Sequence, residues 1–142
     1  MENSQELNNR IYEFRLLREQ RDVFQTQLEF VNSLLTNLMN TKITIENLKN
    51  VKDGDEILIP VGGYVNLKAI IKNPEKIMLY VSHDVMIEKD LNGSIEFLDK
   101  LIAEHNEQMQ NIAAQVQKLD ATLMQMSQTF QKEASQQQQQ EQ

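Results

Sequence analysis

Chemistry in this chain could be sought at two histidines, a glycine pair and an apolar cluster near one end. His83 and Asp84 could suggest a metal pair, but two adjacent turn residues are not a ligand set. His105 has no acidic or nucleophilic motif beside it. It falls in an apolar repeat, where a lone histidine sets register or meets water. "VGGYV", residues 61–65, has neither the spacing nor the Lys-Ser/Thr pair of a phosphate loop. No catalytic, cofactor-binding or metal-ligating set is expected, and the chain is not read as an enzyme. "ATLMQMSQTF", residues 121–130, then stands out. Leu123, Met124, Met126 and Phe130 lie close to an end, where chains fray and large apolar groups would face water. Either they have a partner within the chain or they meet something else.

The totals narrow the choice. With 142 residues the chain suits one domain or one elongated unit. Its net charge of -7 argues against nucleic acid, which needs clustered Lys and Arg, and against an anionic membrane surface. There is no cysteine, hence no disulfide frame, and a reducing cytosol fits. No apolar run approaches the roughly 20 residues that span a bilayer. The start, "MENSQELNNR", lacks the regions of a signal peptide. A soluble, cytoplasmic protein is expected.

Glycine and proline divide the chain. Gly54, Pro60, Gly62, Gly63, Pro74 and Gly93 all fall between residues 54 and 93, and the flanks contain none. The second flank, read at steps of four and three, gives Leu91, Ile95, Leu98, Ile102, His105, Met109, Ile112, Val116, Leu119, Leu123, Met126 and Phe130. That is a heptad repeat and predicts a left-handed coiled coil. The first flank gives Leu7, Arg10, Phe14, Leu17, Arg21, Phe24, Leu28, Val31, Leu35, Leu38, Lys42 and Ile45. Its three cations can lay their stems along apolar surface while the charge reaches water. Each flank would make roughly 65 Å of helix. Equal lengths joined by a compact middle predict two helices folded back on each other, so that Leu7 meets the Phe130 region. The seam edges are mostly uncharged, so connectivity rather than edge charge is expected to pair them. A parallel homodimer of rods is the alternative.

The middle changes period. Alternation at Ile57, Ile59, Val61 and at Val65, Leu67, Ala69, Ile71 predicts two strands around Gly62-Gly63. Ile77, Leu79, Val81 and Val85, Ile87 alternate around Ser82-His83-Asp84. The two hairpins align at an offset of twenty. Pro60 fits an edge or a bulge. Four short strands with an apolar face and open edges are hard to keep alone in water. These twelve aliphatic positions are therefore expected to meet strands of other subunits, closing a barrel. The fold class expected is α+β: a long antiparallel helical hairpin, residues 1–50 and 91–133, around a double β-hairpin oligomerisation module, residues 51–90. A disordered glutamine-rich tail is expected over residues 134–142.

"EILIPVGGYVNLKAIIKNPEKIMLYV" with "VMIEK" between two such helices resembles the alpha class of prefoldin subunits, especially the archaeal form. Glu56 to Gly62 carry the family's opening, Lys68-Ala69 and Glu88-Lys89 close the hairpins, and Ser82-His83-Asp84 departs from its Gly-x-Gly turn. The resemblance implies a hexamer of two alpha and four beta subunits on a β-barrel platform. Its coiled-coil tips would hold unfolded polypeptides without ATP and pass them to a group II chaperonin, with no cofactor. Leu7, Ile11, Phe14, Leu123, Met124, Met126 and Phe130 would then be the client-binding tip. Methionine suits this because it adapts to many apolar surfaces. The competing reading makes Leu123, Met126 and Phe130 ordinary coiled-coil layers, and the protein a structural adaptor with a β oligomerisation module.

Overall fold

The computed structural model describes residues 2–140, with side chains described over 4–136. Its order is α1 (Glu2–Leu48), β1 (Glu56–Gly62), β2 (Val65–Ile70), β3 (Lys76–Ser82), β4 (Val85–Asp90) and α2 (Leu91–Gln140). It divides into two units, Leu35–Glu104 and Met1–Leu34 with His105–Gln142. The helices follow the heptads closely. Every seam position from Arg10 to Ile45 and from Leu91 to Phe130 is buried or half-buried, and only Leu7 is exposed. α2 continues to Gln140, through seven residues of the expected tail, while 141 and 142 lie outside the described residues. Glutamine is a good helix former, and no glycine or proline intervenes.

In the unit Leu35–Glu104, the two hairpins are copies at the offset read from sequence. β1 pairs with β2 from Glu56↔Ile70 to Gly62↔Val65, and β3 with β4 from Lys76↔Asp90 to Ser82↔Val85. Each has a bulge at the same place, between Pro60 and Gly62 and between Tyr80 and Ser82. The bulge tolerates the missing amide of Pro60. The turns differ. Gly63 adopts φ 48°, a left-handed conformation suited to glycine. His83 and Asp84 turn without one, since Asn73 is the only described non-glycine with positive φ.

The hairpins are anchored at their open ends. Ile71 N donates to Asp55 O at 2.9 Å, and Asn73 N donates to Asp53 Oδ1 at 2.7 Å. Asp90, the last residue of β4, caps α2 by accepting from Gly93 N at 2.7 Å. A Cβ at Gly93 would sit 2.7 Å from that carboxylate oxygen, so a side chain there would push the capping carboxylate aside. The fully buried Ser94 donates back to Asp90 O at 2.7 Å. Beneath the strands Ile45, Leu91 and Leu98 form a core, joined by Leu38, Leu48, Ile77 and Ile95. Ile77 thus ties the second hairpin to the helices. Lys42, a seam cation, reaches Asp99 of α2 at 2.7 Å.

Asp90→Ala should cost about 1 kcal/mol of unfolding free energy, measured by urea denaturation. Gly93→Ala should gain none of the roughly 1 kcal/mol that alanine usually brings to a helix. The hydrogen bond to Asp99 raises the Lys42 pKa, against an opposing effect of burial. A raised lysine pKa stabilises fully below the unfolded value and fades as pH rises through the folded one. The stability gap between Lys42→Met and the parent should therefore be complete near neutrality. It should close above about pH 10.4.

Candidate functional site

The unit Met1–Leu34 with His105–Gln142 carries the expected tip residues. Here α1 and α2 run in opposite directions, since Arg10 meets Glu133 and Arg21 meets Asp120. Arg10 makes two contacts with α2. Its Nη1 lies 2.7 Å from Glu133 Oε1, and its guanidinium lies 5.0 Å from the Phe130 ring centre. Phe14 meets Phe130 edge-on, with centroids 5.9 Å apart at 73°. Arg21 Nε lies 3.1 Å from Asp120 Oδ1, in ion-pair range but off hydrogen-bonding geometry.

The seven tip residues therefore fall into two groups. Leu123 is buried, and Phe14, Met126 and Phe130 are half-buried in the seam. Leu7, Ile11 and Met124 face water, with Ile11 38% and Met124 63% accessible. The first group is packed; the second is open to solvent. Further apolar side chains are exposed on α1 at Tyr12, Leu16, Val23 and Phe30, none of them in its seam. Their sequence signal is a second repeat of seven, Leu16, Val23 and Phe30.

The expected hub residues line one face of each hairpin. Ile57 pairs with Ala69 and Ile59 with Leu67; Leu79 pairs with Ile87. Leu79 is buried, while Ile57, Ala69, Ile71, Ile77 and Ile87 are half-buried. Ile59, Val61, Val65, Leu67, Val81 and Val85 are exposed. Reading by alternation missed the opposite face, where Leu58, Ile70, Met78, Tyr80 and Met86 are also exposed. The signal was present in "ILIPV" and "IMLYV". Continuous apolar runs mark strands covered on both faces.

Among the described residues, no group of three His, Cys, Asp or Glu could hold a metal ion. No helix there is long and apolar enough to cross a membrane. What the geometry offers is apolar surface, at one end of a coiled coil and on both faces of two hairpins.

The family described as Prefoldin subunit matches residues 17–136. The chain belongs to the prefoldin family. Its prefoldin relatives include the "Prefoldin subunit alpha" of Methanococcus maripaludis, 31% identical over 115 residues, covering 81% of this chain and 78% of the relative. That of Pyrococcus horikoshii is 29% identical, covering 75% and 72%. The "Prefoldin subunit alpha 1" of Thermococcus kodakarensis is 31% identical, covering 73% and 71%. These relatives support the alpha class of prefoldin. A cryo-EM structure of filamentous PFD from Methanocaldococcus jannaschii shares the prefoldin fold. Its TM-score is 0.71 at 15% identity, over 84% of this chain and 96% of that one.

If the aromatic contact holds the prefoldin coil closed at this end, Phe130→Ala should open it. Aromatic pairing adds about 0.5–1.5 kcal/mol beyond area burial. Amide exchange in residues 10–17 and 123–133 should accelerate roughly tenfold, with little change near Val31 and Ile112.

Proposed function

We propose that this chain is the alpha subunit of an ATP-independent holdase, a heterohexamer of two alpha and four beta subunits. Its hairpins assemble with those of other subunits into a β-barrel hub. Its coiled-coil end, which carries Leu7, Ile11 and Met124, binds unfolded polypeptides and hands them to a group II chaperonin. The assembly works in the cytoplasm, without nucleic acid, membrane or cofactor. The observation that carries this reading is the exposure of large apolar residues where a monomer has nothing to cover them: Leu7, Ile11 and Met124 at the coil end, and the aliphatic strands. Family membership supports it.

Each apolar contact with a client is worth at most about 1.5–3 kcal/mol. Several weak contacts on several arms would add up to useful avidity without a deep pocket. Leu7 and Ile11 stand one helical turn apart on α1, so a single apolar client segment can touch both. Phe14, Leu123, Met126 and Phe130 would join only if the seam opened. The closed seam favours a second reading, a structural adaptor whose coil is a spacer.

Aggregation suppression by the assembled complex separates the two. Replacing Ile11 and Met124 together with glutamine should leave the hexamer's mass unchanged and weaken suppression several-fold. Removal of residues 121–142 should weaken it further. Full suppression by both variants, with assembly intact, would favour the spacer.

A further inference from the structure

The outer side of α1 carries an apolar stripe that the coil does not use. Tyr12, Leu16, Val23 and Phe30 are 65%, 47%, 56% and 69% accessible. At 100° per residue they fall within about 40° of one another, roughly opposite the seam. Over the stretch of α2 in the same unit, one large apolar residue is exposed among those described, Met124. With Glu19 and Thr26 the stripe reads 12, 16, 19, 23, 26 and 30, again at steps of four and three. That spacing makes a second seam, fitted to a further helix.

Charge decides which helix. Arg15, Asp22 and Glu29 line one edge of the stripe, and all three are exposed. Arg15 has no ion pair among the described residues. Glu29 accepts a hydrogen bond from the neutral Gln25 amide at 3.2 Å, which leaves its charge unbalanced. A base at one end and an acid at the other make this edge its own complement when two copies run in opposite directions. In the register that overlaps the whole stripe, Tyr12 packs on Phe30 of the second copy, Leu16 on its Thr26, and the Glu19 stem on its Val23. Arg15 then faces Glu29 on both sides of a two-fold axis, as an isologous contact requires. Asp22 meets its counterpart at the axis, where Arg21 Nη1 of its own chain lies 3.3 Å away and offsets the charge. A parallel pair would instead stack Glu19 on Glu19 and set Arg15 beside Gln20.

We propose that the outer face of α1 binds the outer face of α1 from a second copy of this chain, antiparallel. The contact goes beyond the holdase reading and rests on neither the hub nor the tip residues. Four apolar residues a side make it weak, and it fills as concentration rises.

The chain has no cysteine, so single thiols placed in the full chain report contacts cleanly. Gln20 sits beside the proposed axis and meets Gln20 of the second copy. Gln27 stands about 21 Å along the axis from its own counterpart. Under mild oxidation Gln20→Cys should form disulfide dimers, and Gln27→Cys should form far fewer. One exposed ion pair shifts an equilibrium by a factor of about 1.4 to 5, so reversing two should shift it roughly tenfold. Arg15→Glu added to Gln20→Cys should cut the dimer yield by about that factor, and so should Glu29→Arg. Both together restore the pairing with signs exchanged, and the yield should recover. That recovery also shows that the single variants had not simply unfolded. In 1 M salt, where screening acts within about 3 Å, the charge effect should vanish. Equal cross-linking at 20 and 27, or a yield that ignores the charge exchange, would overturn the proposal. So would an absence of links combined with weaker aggregation suppression by Val23→Gln with Phe30→Gln, which would assign the stripe to an apolar polypeptide instead.

Discussion

The antiparallel packing of α1 on α2 is the constraint from which the rest follows. It brings residues far apart in the chain to one coil end, and within Leu35–Glu104 it builds the core under the hairpins. Three cations interrupt the α1 seam, and each finds an acid on α2: Arg10 with Glu133, Arg21 with Asp120, Lys42 with Asp99. A seam of leucines alone would tolerate slippage by a heptad. Each cation then loses its acid, and a half-buried charge without a partner is costly. The polar interruptions weaken the seam and in return specify its register.

The hairpins pose the opposite problem. Two-stranded sheets are marginal in water, and these two are apolar on both faces. Ile77 and the loops tied by Asp53 and Asp55 hold them to the helices, but none of the described residues buries Ile59, Leu67 or Tyr80. Exposed apolar surface on this scale marks a contact face for another molecule, and the hub assembly proposed above would cover it.

Much of this was legible in the residues. The 4-3 apolar spacing marks the seam almost residue by residue, because helical period alone decides which side chains face a partner. The offset of twenty carried over to the bulges, and Pro60 announced one of them. The acids facing the seam cations were not legible, because neither helix alone reveals the register between them. The second apolar face of the hairpins was overlooked because alternation scores one face only. Nor does spacing say whether Phe130 is closed against Phe14 or open; that depends on side-chain packing, which the aromatic pair and Arg10 decide. Ile11 and Met124, just beside the seam, were legible as the residues left outside it.

The central claim is that the chain doubles back on itself. Spin labels at residues 8 and 136 of one molecule, diluted with unlabelled protein, test it directly. Helices packed 8–10 Å apart, with label arms added, should give a separation of roughly 2 nm. An intramolecular separation beyond the range of dipolar coupling, as a rod with unpaired helices would give, would contradict it.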